Sequence, residues 1–169
     1  MATDIPRLLT PLPQVMYVNL EPPLATVLHV MRMAKAAGVR VMFNASPLLK
    51  EDLPVEIFRL VTDIVMNEEE TEKVSRVDER GASIRDDLLG IATSLLNRGV
   101  GTAVITLGAD GYFYATDGGR EYGSEKGLNV KAVDVTPAGD SFLAAFAIAI
   151  MRGARASGQL VAGAISALR

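Results

Sequence analysis

The hydrophobic period of this chain keeps switching between two and 3.6 residues, which restricts it to a layered fold of strands and helices. Val15-Met16-Tyr17-Val18-Asn19-Leu20 is a short apolar run of the kind that forms a buried strand. Pro22 and Pro23 suit the opening of a helix. A stripe of Leu24, Val27, Leu28 and Met31 carries that helix to Ala37, and Gly38 supplies the stop. Residues 39–43 then read as a second strand. A strand, a helix and a strand so arranged predict a parallel pair joined by a right-handed crossover.

The alternation continues along the chain. It predicts a short helix over 54–60, a strand over 63–66 and a helix over 67–74. Ser83 and Asp86 have capping-box spacing ahead of Leu88, Leu89, Ala92, Leu95 and Leu96, a helix that Gly99 ends. Residues 102–106 form a β-branched strand, followed by a hairpin: 112–116, a turn at Asp117-Gly118-Gly119, and 120–122. A strand over 129–133, a nearly all-apolar buried helix over 138–151 and a last helix over 157–168 complete the pattern. The expected fold class is α/β, a mainly parallel sheet flanked by helices with an antiparallel hairpin at one side. It is read as one domain over 1–169 with an irregular leader over 1–13.

Composition narrows the function classes. The 169 residues are 49% hydrophobic and 22% charged, with a net charge of −3. A single domain of that size buries about 70% of its unfolded surface. No basic stripe points to nucleic acid. The absence of cysteine excludes disulfides, thiolate metal sites and cysteine nucleophiles. His29 is the lone histidine, assigned to a helix surface with no role. Met31, Met33 and Met42 read as core filler. The apolar run over 142–151 is too short to span a membrane. Asp4 and three early prolines do not make a secretory signal, so the expectation is a cytoplasmic protein.

Two familiar phosphate signatures are absent, and the informative segment is Asp134-Val135-Thr136-Pro137-Ala138-Gly139-Asp140-Ser141-Phe142. It links a strand to a helix, which puts Ala138, Gly139 and Asp140 in the first turn. Backbone N–H groups there have no intrahelical acceptor and carry the positive end of the helix dipole. Gly139 lets an anionic ligand approach the backbone closely. A carboxylate in the same turn can accept the proton of an attacking hydroxyl beside a bound phosphate. The plainer alternative is that Asp140 caps the helix and Gly139 eases packing.

Residues 134–142 resemble the carboxyl-terminal signature of the ribokinase-like (PfkB) carbohydrate kinases, D-T-x-[GA]-A-G-D-x-F. Asn67-Glu68-Glu69-Glu70 resembles the N-x-x-E motif of that family, and Ile105-Thr106-Leu107-Gly108-Ala109-Asp110-Gly111 its I-T-L-G-x-x-G. Asn19-Leu20-Glu21-Pro22-Pro23-Leu24 and Phe43-Asn44-Ala45-Ser46-Pro47 resemble further family segments in the same order, so the likeness covers about 15–169. The ordered set is specific, whereas each short motif alone is not.

The resemblance implies ATP-dependent phosphorylation of a sugar's primary hydroxyl, ribose to ribose 5-phosphate. It implies Asp140 as base and substrate ligand, with the N–H groups of Ala138, Gly139 and Asp140 stabilising the transferred phosphoryl. Asn67 and Glu70 would place Mg2+ and its waters, Thr106, Gly108 and Gly111 would line the nucleotide, and Glu21 would contact the sugar. A monovalent cation, K+, would sit near the carbonyls of Asp134 and Thr136. Each assignment has a plainer counterpart: Asn67 as a helix cap with favourable glutamates behind it, the glycines as a tight turn, Glu21 as a charge beside helix-opening prolines.

Val135 and Pro137 depart from the signature, and Pro137 lacks an N–H, a loss the first helical turn tolerates. The family's amino-terminal portion, with its G-G-x-x-x-N motif, early sugar-binding aspartate and β-strand lid, has no counterpart in the sequence. An exposed sheet edge is therefore expected, with a homodimer or the missing half as partner. The alternative function is a non-catalytic remnant that binds nucleotide or a subunit.

Overall fold

The structure is a computed structural model and describes residues 11–75, 83–127 and 138–152. Among these residues, six strands form one sheet in the order of the sequence. They are β1 (Val15–Val18), β2 (Arg40–Phe43), β3 (Asp63–Met66), β4 (Thr102–Thr106), β5 (Tyr112–Thr116) and β6 (Glu121–Glu125). The first four run parallel, and β5 and β6 add antiparallel, as the hairpin pattern predicts. The expected strand over 129–133, the helix over 157–168 and most of the leader lie outside the described residues, as do Asp134, Thr136 and Pro137.

The helices are α1 (Leu24–Ala36), α2 (Val55–Leu60), α3 (Glu68–Ser75), α4 (Leu88–Asn97) and α5 (Ala138–Met151). Alternation along each strand sends successive side chains to opposite faces of the sheet. One face turns Val41, Phe43, Ile64, Met66, Ala103 and Ile105 toward α1–α4, where Met31, Phe58 and Leu95 complete a dry core. The other presents Met42, Val65, Val104, Tyr112 and Tyr114, which pack on Leu143 and Phe146 of α5. Met31 and Met42 thus fill opposite faces rather than one cluster.

Two local expectations are corrected. The predicted cap at Ser83 and Asp86 instead opens a short 3-10 turn (Ile84–Asp86), where the Ser83 hydroxyl accepts from the Arg85 N–H at 3.3 Å. Asp87 is the cap of α4, its Oδ1 accepting from the Gly90 N–H at 2.9 Å. The α5 helix is not buried all round. Leu143, Ala145, Phe146 and Ala149 are buried, while Ser141, Ala144 and Met151 face outward. The apolar composition of the helix concealed that division.

The β4–β5 connection is tight because Gly111 has φ 100°, a region that favours glycine. A Cβ there would collide with the Glu125 carbonyl oxygen of β6 and with the Gly127 nitrogen. Gly111→Ala is therefore expected to lower stability by about 2 kcal/mol or more, strain and clash acting together. A chemical-denaturation midpoint equal to wild type would contradict this.

Candidate active site

The predicted site residues that the structure describes gather where the parallel strands end. Asn67 follows β3, Thr106 is the last residue of β4, and Gly108 and Gly111 shape the turn beyond it. Glu21 is exposed in the connection after β1. The first turns of α5 reach the same edge, because Phe142 packs on Tyr112, 5.2 Å between ring centroids, and Tyr112 pairs with Thr106. In open α/β sheets this carboxyl edge is where ligands bind.

Gly139 and Asp140 are exposed at the start of α5, and no described atom lies within 4 Å of where a Gly139 Cβ would sit. The first-turn N–H groups of α5, from Ala138 onward, have no intrahelical acceptor. Tyr17, 44% exposed on β1, reports the surrounding charge. Burial and then the Asp140 carboxylate push its phenol above the usual range, with Glu70 and Glu21 adding to the shift and a hydrogen bond with Asn19 opposing it. All three carboxylates thus oppose ionisation of this one phenol. Motif reading did not single out Tyr17.

Asn67 and Glu70 form a reciprocal capping box. The Glu70 N–H donates to Asn67 Oδ1 at 2.8 Å, and the Asn67 N–H donates to Glu70 Oε2 at 3.0 Å. Asn44, buried on the β2 side, donates its Nδ2 to the same Oε2 at 2.9 Å and to the Val65 carbonyl at 2.9 Å. The plainer reading of Asn67 as a cap is thus part of the geometry. It does not exhaust Glu70, whose Oε1 takes no hydrogen bond from the described residues. Asn44 was visible only as one letter of a family-like segment, because its partner is 26 residues away.

Glu70 is 7% exposed, and burial pushes its carboxyl up while the bonds from Asn67 and Asn44 pull it back and Glu69 adds a smaller rise. A raised folded-state value means that the folded protein holds this proton more tightly than the unfolded chain. Its contribution to stability is complete below the reference value of 4.5 and is lost as pH rises through the folded value. Glu70→Gln, which keeps the acceptor but cannot ionise, is expected to gain stability relative to wild type across that window. Urea titrations from acid to neutral pH that run parallel for the two proteins would refute it.

The nucleotide-side turn is open. Gly108 has φ 59°, and a Cβ there would meet no described atom within 4 Å. Thr106 is half-buried, its hydroxyl 3.5 Å from the Met66 carbonyl. Among the described residues no group of three or more His, Cys, Asp or Glu side chains surrounds a metal position. The donors present, a carboxylate with one oxygen to spare and an exposed amide, suit a hard cation held through its waters rather than in a protein cage. A separate cavity of about 320 Å³, lined by Leu20, Ala45, Leu49, Val74 and Arg98, includes none of the predicted site residues.

The same architecture recurs in solved carbohydrate kinases. A ribokinase from Thermotoga maritima superposes with a TM-score of 0.71 at 28% identity, covering 90% of this chain and 46% of that one. Arabidopsis thaliana ribokinase, solved with ribose and ATP, superposes with a TM-score of 0.79 at 22% identity, covering 91% and 48%. The arrangement is the ribokinase fold. A family model described as pfkB family carbohydrate kinase matches residues 14–167, and the chain belongs to that family. It is 34% identical over 129 residues to the ribokinase of Staphylococcus aureus, covering 76% of this chain and 40% of that protein. It is 35% identical over 136 residues to the ribokinase of Mus musculus, covering 79% and 40%. The chain spans about two-fifths of the length of these curated relatives. Among the described residues no helix is long and apolar enough to cross a membrane.

Proposed function

We propose that this chain supplies the phosphoryl-transfer side of an ATP-dependent sugar kinase that converts ribose to ribose 5-phosphate. The observation that carries the reading is the exposed first turn of α5, with Gly139 open to approach and Asp140 beside it at the carboxyl edge of the sheet. Asp140 accepts the proton of the sugar's primary hydroxyl as its oxygen attacks the γ-phosphorus, and ADP departs on the opposite side. The N–H groups of Ala138, Gly139 and Asp140 receive the charge that develops on the transferred group, a role in which one lost donor costs roughly 10²–10³ in rate. Thr106, Gly108 and Gly111 line the nucleotide, and Glu21 meets the sugar hydroxyls.

Asn67 and Glu70 hold the waters of Mg2+, which when bound neutralises phosphate charge. The carbonyls of Asp134 and Thr136, outside the described residues, are the proposed seat of a monovalent cation such as K+.

A second reading is a non-catalytic nucleotide-binding or subunit-interaction module, in which the Asn67–Glu70 pair serves only as the cap of α3. Calorimetry with Mg–ATP and with ribose, separately and together, distinguishes them. Mutually strengthened binding of the two supports the kinase. Nucleotide binding that ribose leaves unaltered supports a nucleotide-binding module, and binding of neither ligand defeats the kinase reading.

A further inference from the structure

Three segments meet at Arg85, and its two carboxylate partners, Glu68 and Asp110, occupy variable positions of the N-x-x-E-like and I-T-L-G-x-x-G-like segments. Its Nε donates to Glu68 Oε1 at 2.6 Å and its Nη2 to Glu68 Oε2 at 3.1 Å, a bidentate grip on the first turn of α3. Its Nη1 donates to Asp110 Oδ2 at 2.6 Å, and Nη2 also reaches the Leu107 carbonyl at 3.4 Å, in the turn after β4. Glu68 lies between Asn67 and Glu70, and Asp110 between Gly108 and Gly111. The 3-10 turn that carries Arg85 is itself held by the Ser83 hydroxyl and anchored by Ile84, which is 1% exposed.

An isolated surface ion pair contributes little, but a planar fork shared between two carboxylates and a carbonyl fixes direction as well as distance. The paired carboxylates hold the guanidinium firmly in its charged form.

We propose that Arg85 is a positioning residue, a clasp that holds the first turn of α3 and the Gly108–Gly111 turn in one arrangement, so that the nucleotide meets a surface already assembled. This rests on the kinase reading and deepens it. Arg85 is assigned no contact with substrate, because its donors are directed at Glu68, Asp110 and Leu107. Within the turn beyond β4, the bonds Leu107 N–H to Gly111 O at 2.8 Å, Asp110 N–H to Leu107 O at 3.1 Å and Gly111 N–H to Gly108 O at 3.2 Å remain without the clasp, but none of them ties the turn to α3.

The test combines Mg–ATP calorimetry with amide hydrogen exchange on the unliganded protein. Arg85→Gln is expected to weaken Mg–ATP binding roughly fivefold or more, the lower range for coupled sites. It should also speed exchange at Asp110 and Gly111. Asp110→Asn, which weakens one arm, should do both to a smaller degree, and Arg85→Lys should fall between. Arg32→Gln breaks an equally short exposed pair with Glu56, on α1 and α2, and should alter neither reading. Wild-type affinity in Arg85→Gln overturns the clasp, and so does weakened binding with unchanged exchange, which would mean that Arg85 touches the nucleotide itself. Failure of the wild type to bind Mg–ATP instead overturns the functional reading, and the exchange rates alone then decide whether the clasp orders the turn.

Discussion

Asp140→Asn is expected to lower ribose-dependent ADP formation by roughly 10²- to 10⁴-fold, the span that a positioned general base contributes. Asparagine keeps the shape of the side chain and its ability to orient a hydroxyl, but it cannot take the proton. The substitution should scarcely disturb the fold. Asp140 is exposed, and a carboxylate in a first helical turn contributes only about 0.3–1 kcal/mol through the dipole. Nucleotide affinity should hold or rise, since one negative charge beside the phosphates disappears. A large fall in turnover with intact binding and melting is the expected signature. Substantial and equal turnover by the two proteins would remove Asp140 from the chemistry.

The second large effect lies at the opposite end of the sheet. Arg40, at the start of β2, donates Nε to Asp63 Oδ2 at 2.5 Å and Nη2 to Asp63 Oδ1 at 2.6 Å. The Asp63 side chain is 0% exposed, while that of Arg40 is 35% exposed. Burial of a carboxylate is tolerable only while its partner remains, so Arg40→Met should cost about 3–5 kcal/mol. For a chain of this size that lowers the melting temperature by roughly 10 °C. Pairing it with Asp63→Leu should recover most of the loss, because two apolar groups leave no orphaned charge. Mg–ATP affinity should not change, since neither residue is at the carboxyl edge. A single variant that melts like wild type, or a double variant no better than the single, would contradict this account.

Strands β3, β4 and β5 and helix α5 coincide with their predicted limits, the strands because each is a short, mostly apolar or β-branched run and α5 because its apolar run from Phe142 to Met151 extends the first turn at Ala138–Ser141. Strand β6 runs to Glu125, beyond the predicted 122, since its polar sequence Glu-Tyr-Gly-Ser-Glu pairs through the backbone and carries no apolar period. The hydrophobic pattern equally could not show which residue caps α4, as Ser83 and Asp87 both precede it and only the 3-10 turn assigns their roles.

At the site, motif letters marked Asn67, Glu70, Gly108, Gly139 and Asp140, and the structure brings their segments to one edge. The connections among them were not legible. Arg85 is 17 residues from Glu68 and 25 from Asp110, and no periodicity announces so long a reach. The buried Asn44 that holds Glu70 is likewise a product of strand adjacency, because β2 pairs with β3.

Strand order that repeats chain order has a consequence for how the protein is made. Each strand from β2 to β6 meets its neighbour already emerged from the ribosome, so pairing of the nascent sheet never waits for a distant partner. Among the described residues, helix α5 must return to strands synthesised long before it. The turn that would greet the phosphate therefore settles onto strands that have already paired.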